Sequence, residues 1–201
     1  MKAVVGVLAF QGDVEEHIVA TRFALENLGW QGETVWVKTP SEVEKVDALI
    51  VPGGESTVMG GLATFNGTAM TIKDRVRSGM PILGTCAGMI TLAKRAYDRI
   101  VGETSQPLLG VMDIVVERNS FGRQRESFEA DLDILALGDK SFRGVFIRSP
   151  SVKDVGQGVE VLSRLNGAVV AVQQGRMIAT AFHPELSGET RLHEYFFRLL
   201  G

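Results

Sequence analysis

The stretch Pro81-Ile82-Leu83-Gly84-Thr85-Cys86-Ala87-Gly88-Met89-Ile90 decides how the chain is read. Ile82 and Leu83 read as the end of a buried strand, and a helix-compatible run follows from Ala87 to about Ala96. Between them stands Gly-x-Cys-x-Gly, the nucleophile-elbow pattern with cysteine in the nucleophile position. A strand that turns sharply into a helix crowds the residues two places to either side, and Gly84 and Gly88 supply bare backbone there. The pattern places Cys86 at a helix N-terminus, where free N–H groups and the helix dipole favour thiolate over thiol. The same residue also suits a plain structural role, because free cysteine is among the most buried residue types.

The chain before the elbow alternates strands with helices. Ala3 to Phe10 reads as a first strand, apolar as expected of a parallel strand covered on both faces, and not as a signal peptide. After Gln11-Gly12, Asp13 is placed to cap a helix from Val14 to Leu28, with Ile18, Phe23, Leu25 and Leu28 on its apolar stripe and Gly29 at its end. Strands follow at Glu33 to Val37 and Ala48 to Val51. The second stops at Pro52-Gly53-Gly54-Glu55-Ser56-Thr57, where Ser56 and Thr57 can cap the next helix. A helix from about Ala69 to Ser78 leads into the Cys86 strand.

The second half has few helices. Val111 to Glu117, Phe128 to Leu132, Val145 to Arg148 and Val159 to Leu165 read as strands. Ala168 to Gln173 and Met177 to Phe182 flank a hairpin turn at Gln174-Gly175-Arg176. A helix from about Glu189 to Leu200 closes the chain with Leu192, Phe196, Phe197 and Leu200. The expected fold is α/β: one domain over 1–201, a three-layer sandwich with a mainly parallel doubly wound sheet and an antiparallel extension in the C-terminal half. With 201 residues, 45% apolar and 22% charged, the chain can bury a full core. A net charge of -3 gives no electrostatic case for nucleic acid or an anionic membrane. No apolar run approaches the ~18 residues of a membrane span. A single cysteine suits a reducing, cytoplasmic setting and leaves Cys86 free for chemistry.

A cysteine nucleophile needs a base, and the base an orienting group. Of three histidines, His17 and His193 fall on expected helices, whereas His183 falls at a strand end, where α/β folds place their sites. Pro184 keeps His183 extended, and Glu185 can orient the imidazole. Backbone N–H groups of the Gly53-Gly54 loop and of Ala87 can form an oxyanion hole. Arg118, Arg123, Arg125 and Arg148 offer forks for a carboxylate, Arg148 being the best placed because it follows an apolar strand; all four also suit a solvated surface. One cysteine and no histidine pair at ligand spacing argue against a metal. No phosphate-binding glycine motif of the nucleotide or dinucleotide type occurs.

Gly84-Thr85-Cys86-Ala87-Gly88, Pro52-Gly53-Gly54-Glu55 and His183-Pro184-Glu185, in this chain, resemble class I glutamine amidotransferases. Longer stretches narrow the resemblance: Phe10-Gln11-Gly12 with Glu16-His17, Gly53 to Thr57, Glu117 to Gln124, Phe146-Ile147-Arg148 and Phe182 to Leu186 resemble the glutaminase subunit of pyridoxal 5′-phosphate synthase. One departure is Ser149, where that family usually has alanine before Pro150.

The resemblance implies that Cys86 attacks the side-chain amide of L-glutamine, that His183 shuttles protons and that Glu185 orients His183. It places Gly53, Gly54, Glu55, Ser56, Arg118, Ile147 and Arg148 at glutamine-binding positions. It implies no cofactor in this subunit, and transfer of ammonia to a synthase subunit that builds pyridoxal 5′-phosphate from a pentose phosphate and a triose phosphate. The peptide between Gly53 and Gly54 can turn over cheaply, which offers a gate that opens when the synthase docks against the face carrying Gln11 and the first helix. His17, near Gln11, is assigned to that interface. Two other readings stay open: an amidotransferase serving histidine or anthranilate synthesis, and a non-hydrolytic redox-sensor or chaperone-like α/β protein. Proteins of the latter kind typically carry histidine directly after the elbow cysteine, where this chain has Ala87.

Overall fold

The computed structural model describes residues 2–121 and 127–201. Four parallel strands, β1 (Lys2–Leu8), β2 (Gln31–Val37), β3 (Ala48–Val51) and β4 (Ile82–Thr85), lie in the order β2-β1-β3-β4. β3 and β4 are buried at every position, and neither alternates: β3 is aliphatic throughout and β4 is Ile-Leu-Gly-Thr. Helix α1 (Val14–Asn27) joins β1 to β2; α2 (Pro40–Val43) joins β2 to β3; α3 (Ser56–Phe65) and α4 (Thr68–Arg77) join β3 to β4. The step from β1 to β2 runs one way across the sheet and the step from β3 to β4 the other. Right-handed crossovers therefore put α1 on one face and α3 and α4 on the opposite face. The reversal falls between β1 and β3, and open α/β sheets bind their ligands beyond the carboxyl ends of strands at such a point.

The expected helix after Cys86 stops early. α5 spans Ala87–Leu92, and the chain turns extended at Ala93 to form β5 (Ala93–Asp98). Ala-Lys-Arg-Ala is good helix sequence, but β5 pairs in parallel with β7 (Met112–Arg118), and that pairing overrides the propensity. After β6 (Gly102–Glu103) and β7 come β8 (Phe128–Leu132), β9 (Phe142–Phe146), β10 (Ser151–Val155), β11 (Glu160–Leu165), β12 (Ala168–Gln174) and β13 (Met177–Thr180). The chain then reaches α6 (Arg191–Arg198). Among the described residues eleven strands share one sheet, in the order β2-β1-β3-β4-β13-β12-β10-β7-β5-β6 with β11 on β12. β13 is parallel to β4, while β12 and β10 run antiparallel to their neighbours, so the sheet is mainly parallel on one side with an antiparallel extension.

β8 and β9 form a separate hairpin whose register pairs Phe128 with Phe146 and Leu132 with Phe142. That register ends β9 at Phe146, so the expected strand over Val145 to Arg148 is displaced and Ile147-Arg148 leave it as a turn, with Arg148 at φ 47°. Phe128 stacks on Phe146 at 4.8 Å, and Phe146 and Phe142 lie 5.6 and 5.7 Å from Phe182. This aromatic cluster ties the hairpin to the segment that carries His183. β10 went unanticipated because Lys153 and Asp154 interrupt its apolar pattern. Phe23 is 56% exposed and does not join the buried stripe of α1, which runs through Ile18 and Leu25.

Candidate active site

Cys86 follows the last residue of β4 with φ 49° and ψ −104°, a conformation rarely adopted by a residue with a side chain. Its N–H donates to the Thr180 carbonyl at 2.8 Å, which clamps the elbow to the end of β13. A Cβ on Gly88 would stand 2.0 Å from the Val51 carbonyl oxygen, and one on Gly84 would stand 2.8 Å from the Gly88 backbone. Bare backbone at both places is what lets the turn close against β3. Cys86 is 8% exposed, and its Sγ lies 3.7 Å from the Ile147 carbonyl oxygen.

His183 lies three residues beyond Thr180, whose partner across the parallel β4–β13 pair is Thr85. Cys86 and His183 thereby meet from adjacent strand ends. The Nδ1 of His183 is 2.7 Å from Glu185 Oε1 and 3.0 Å from Asp13 Oδ2. Burial by itself would lower the imidazole pKa. The carboxylates of Asp13 and Glu185 on its Nδ1, with Cys86 close by, outweigh it and push the pKa up to about 12. Its Nε2 is buried and has no aligned partner among the described residues, and so is available to exchange a proton. The two carboxylates respond in opposite directions. The hydrogen bond to His183 lowers Asp13, which is partly solvated, whereas desolvation raises the fully buried Glu185. Asp13, His183 and Glu185 place ligand-type atoms within 4.8 Å of one another, but the Nδ1 proton shared by both carboxylates satisfies that geometry.

Asp13 was expected to cap α1. It occupies the N-cap position, yet its carboxylate makes no capping bond and is spent on His183. The loop carrying it presses on the Gly53 loop: Gln11 Nε2 donates to the Glu55 carbonyl at 2.7 Å. A Cβ on Gly53 would stand 2.4 Å from His183 Cε1 and 2.7 Å from Asp13 Oδ2, so only glycine fits there. Gly54 follows with φ 143°.

The expected substrate-binding residues come from the loop after β3, the end of β7 and the turn after β9. Glu55, and not Ser56 or Thr57, caps α3, accepting from the N–H groups of Thr57 and Val58. Ser56 is buried and bonds Gln106. Arg118 donates to Gln106 Oε1 at 2.9 Å and to Glu55 Oε1 at 3.3 Å, so its fork is held beside the Glu55 loop. Gln106 escaped sequence reasoning, since nothing local marks it. Ile147 and Arg148 are exposed on their turn, and the Ile147 N–H donates to Ser149 Oγ at 3.1 Å. The Ser149 hydroxyl thus braces the turn whose carbonyl faces Cys86. Arg123 and Arg125 lie outside the described residues. His17, expected at a partner surface, is completely buried beside Glu185 and Thr85.

Fold and arrangement together define an α/β protein built around an elbow cysteine with a carboxylate-bound histidine on the neighbouring strand. The chain belongs to the SNO glutamine amidotransferase family, whose model matches residues 7–200. It is 47% identical over 200 residues to the pyridoxal 5′-phosphate synthase subunit PdxT of Nitrosopumilus maritimus, covering 100% of this chain and 98% of that one. It is 51% identical to the PdxT of Aeropyrum pernix, covering 98% of both. A crystal structure described as a glutamine amidotransferase superposes with TM-score 0.84 at 48% identity, covering 98% of each chain. A glutamine amidotransferase from Thermotoga maritima, at 15% identity and TM-score 0.63, covers 100% of this chain and 84% of that one and shares the fold.

Proposed function

We propose that this chain, as one domain over 1–201, is a glutaminase subunit that hydrolyses L-glutamine to glutamate and ammonia for a pyridoxal 5′-phosphate synthase. The observation that carries the reading is Cys86 on a strained elbow beside a His183 whose Nδ1 is held by carboxylates. The thiolate sulfur attacks the side-chain amide carbon, and the carbonyl π electrons move to oxygen. The N–H groups of Gly54 and Ala87 receive that oxyanion. His183, as imidazolium, gives its Nε2 proton to the amide nitrogen; the C–N bond breaks and ammonia leaves a thioester. Neutral His183 then takes a proton from water, whose oxygen attacks the thioester and releases glutamate and the thiolate. Glu185 and Asp13 accept from Nδ1 throughout and keep Nε2 aimed at the reacting atoms.

Arg118 and Arg148 are assigned to the substrate carboxylate, with Gly53, Glu55, Ser56 and Ile147 lining the amino-acid end of the site. No helix among the described residues is long and apolar enough to cross a membrane. We place the complex with the synthase subunit in the cytoplasm. Ammonia release from glutamine, measured with and without the synthase subunit, tests the reading. Absence of release in both conditions refutes it.

A further inference from the structure

We propose that His17, backed by His193, is a positioning residue that holds Glu185 as an anion against His183, extending the triad by two histidines into the core between α1 and α6. This rests on the roles given above to Cys86, His183 and Glu185. The side chains of Glu185 and His17 are both fully buried. Glu185 Oε1 bonds His183, while Oε2 has no well-aligned donor and lies 3.2 Å from His17 Nε2. A carboxylate oxygen so placed is stabilised by an N–H and repelled by a lone pair.

The network fixes which of these it meets. His17 Nε2 is 3.0 Å from Thr85 Oγ1, and its Nδ1 is 3.2 Å from His193 Nε2. His193 Nδ1 is buried without a partner. In one tautomer order, His193 Nε2–H donates to His17 Nδ1, and His17 Nε2–H donates to Thr85 Oγ1 at 3.0 Å with Glu185 Oε2 beside the same proton, 3.2 Å from the nitrogen. Only an acceptor is then left unmet. In the reverse order, His193 Nδ1–H is an orphaned buried donor and a His17 lone pair faces the carboxylate. The first order avoids both costs. Burial, reinforced by the neighbouring imidazoles of His193 and His183, holds the His17 pKa well below its ordinary value, and burial holds that of His193 at about 4. Both rings are therefore neutral and carry one proton each. Thr85 immediately precedes Cys86, so one ring touches both the elbow strand and the orienting carboxylate.

The groups facing Glu185 are His183 on its own segment, Asp13 from the loop before α1, and His17 from α1. Those facing His17 are His193 from α6, Thr85 from β4, Glu185 and the charge of His183. Removing the His17 donor disfavours the Glu185 anion, so the imidazolium–thiolate pair forms only at higher pH.

Imidazole 15N NMR of the full chain, or of its Cys86→Ala variant, tests the tautomers without any turnover. Neutral Nε2–H forms of His17 and His193 are expected from about pH 6 to 8. His17→Leu and His17→Gln then test the consequence, read as the pH profile of Cys86 alkylation by iodoacetamide and as kcat and KM with the synthase present. In His17→Leu the acid limb should move up by about one pH unit and kcat should fall about tenfold at unchanged KM. His17→Gln should restore most of both, because its amide N–H reaches the same oxygen. In a Glu185→Gln background, His17→Leu should have little further effect. An Nδ1–H or doubly protonated His17, an unmoved acid limb in His17→Leu, or equal damage in the Leu and Gln variants overturns the proposal. If His17→Leu does not fold, the tautomer measurement decides by itself. Failure of the glutaminase reading would look different: no ammonia from the unaltered chain, with the tautomers and alkylation profile as stated.

Discussion

Asp13 Oδ2 and Glu185 Oε1 converge on the same atom, His183 Nδ1, at 3.0 and 2.7 Å. One carboxylate comes from the loop after β1 and is partly solvated; the other is fully buried two residues beyond the imidazole. The closer, dry partner fixes the ring, and the wetter one adds negative charge that solvent partly screens. Asp13→Asn should therefore lower kcat for glutamine hydrolysis about threefold to tenfold, a hydrogen bond of roughly 1 kcal/mol. Glu185→Gln should cost more. The reverse order in steady-state assays would show that Asp13 is the principal orienting group.

Cys86→Ala should abolish glutamine hydrolysis while leaving the fold intact, and a glutamine analogue with an electrophilic side chain should label Cys86. His183→Asn should lower kcat by about 10²–10⁴, because one ring handles both proton transfers. His17→Asn is not a neutral control for that comparison, since His17 Nε2 lies 3.2 Å from Glu185 Oε2. Circular dichroism with single-turnover assays separates lost chemistry from lost folding.

Arg118 is held by Glu55 and Gln106 with its fork preformed. Arg118→Lys should raise KM for glutamine about tenfold, since a lysine cannot offer the same two-pronged contact. Arg148→Lys should act in the same direction. Unchanged KM in the alanine variants of both would remove them from the substrate site.

Gly54 stands at φ 143°, where a side chain is strained whatever space surrounds it. The Gly53-Gly54 peptide is the candidate gate that the synthase sets, and one oxyanion donor is worth about 10²–10³ in kcat. Gly54→Ala should blunt the rise in kcat on adding the synthase. Full activity of the isolated chain, unchanged by its partner, would remove the gate.

His193 is buried neutral, its pKa held down to about 4 by burial, against about 6.5 for an unperturbed imidazole. The unfolded chain binds its proton first, so this group contributes stability that is complete above about pH 6.5 and is lost as pH falls toward 4. The expected loss is on the order of 3 kcal/mol. His17 shifts in the same direction. Urea unfolding at pH 7.5 and 5 should show the chain weakening on acidification, and His193→Leu should flatten that slope. An equal slope in the variant would assign the acid sensitivity elsewhere.

The elbow was legible in the sequence because its cause is local. A strained cysteine with glycine two places to either side is a steric statement about five consecutive residues. Alternating apolar runs and helical stretches likewise specified a parallel sheet with an antiparallel extension, because burial on both faces leaves its mark on each strand separately. Where helix propensity competes with strand pairing, that local logic fails. Ala93 to about Ala96 reads as the rest of a helix, and only the open edge of β7 makes Ala93–Asp98 a strand.

What surrounds His183 was decided in three dimensions. His183-Pro184-Glu185 is contiguous, so the dyad could be read. Asp13 looked like a helix cap, and nothing near it in the chain tells that the switch point between β1 and β3 carries it to His183. His17 and His193 stand 176 residues apart and meet only because α1 and α6 pack on one face of the sheet. Local sterics set backbone shape within a few residues, whereas the partners of a buried polar atom are set by whichever distant elements the packed core brings within 3 Å or so.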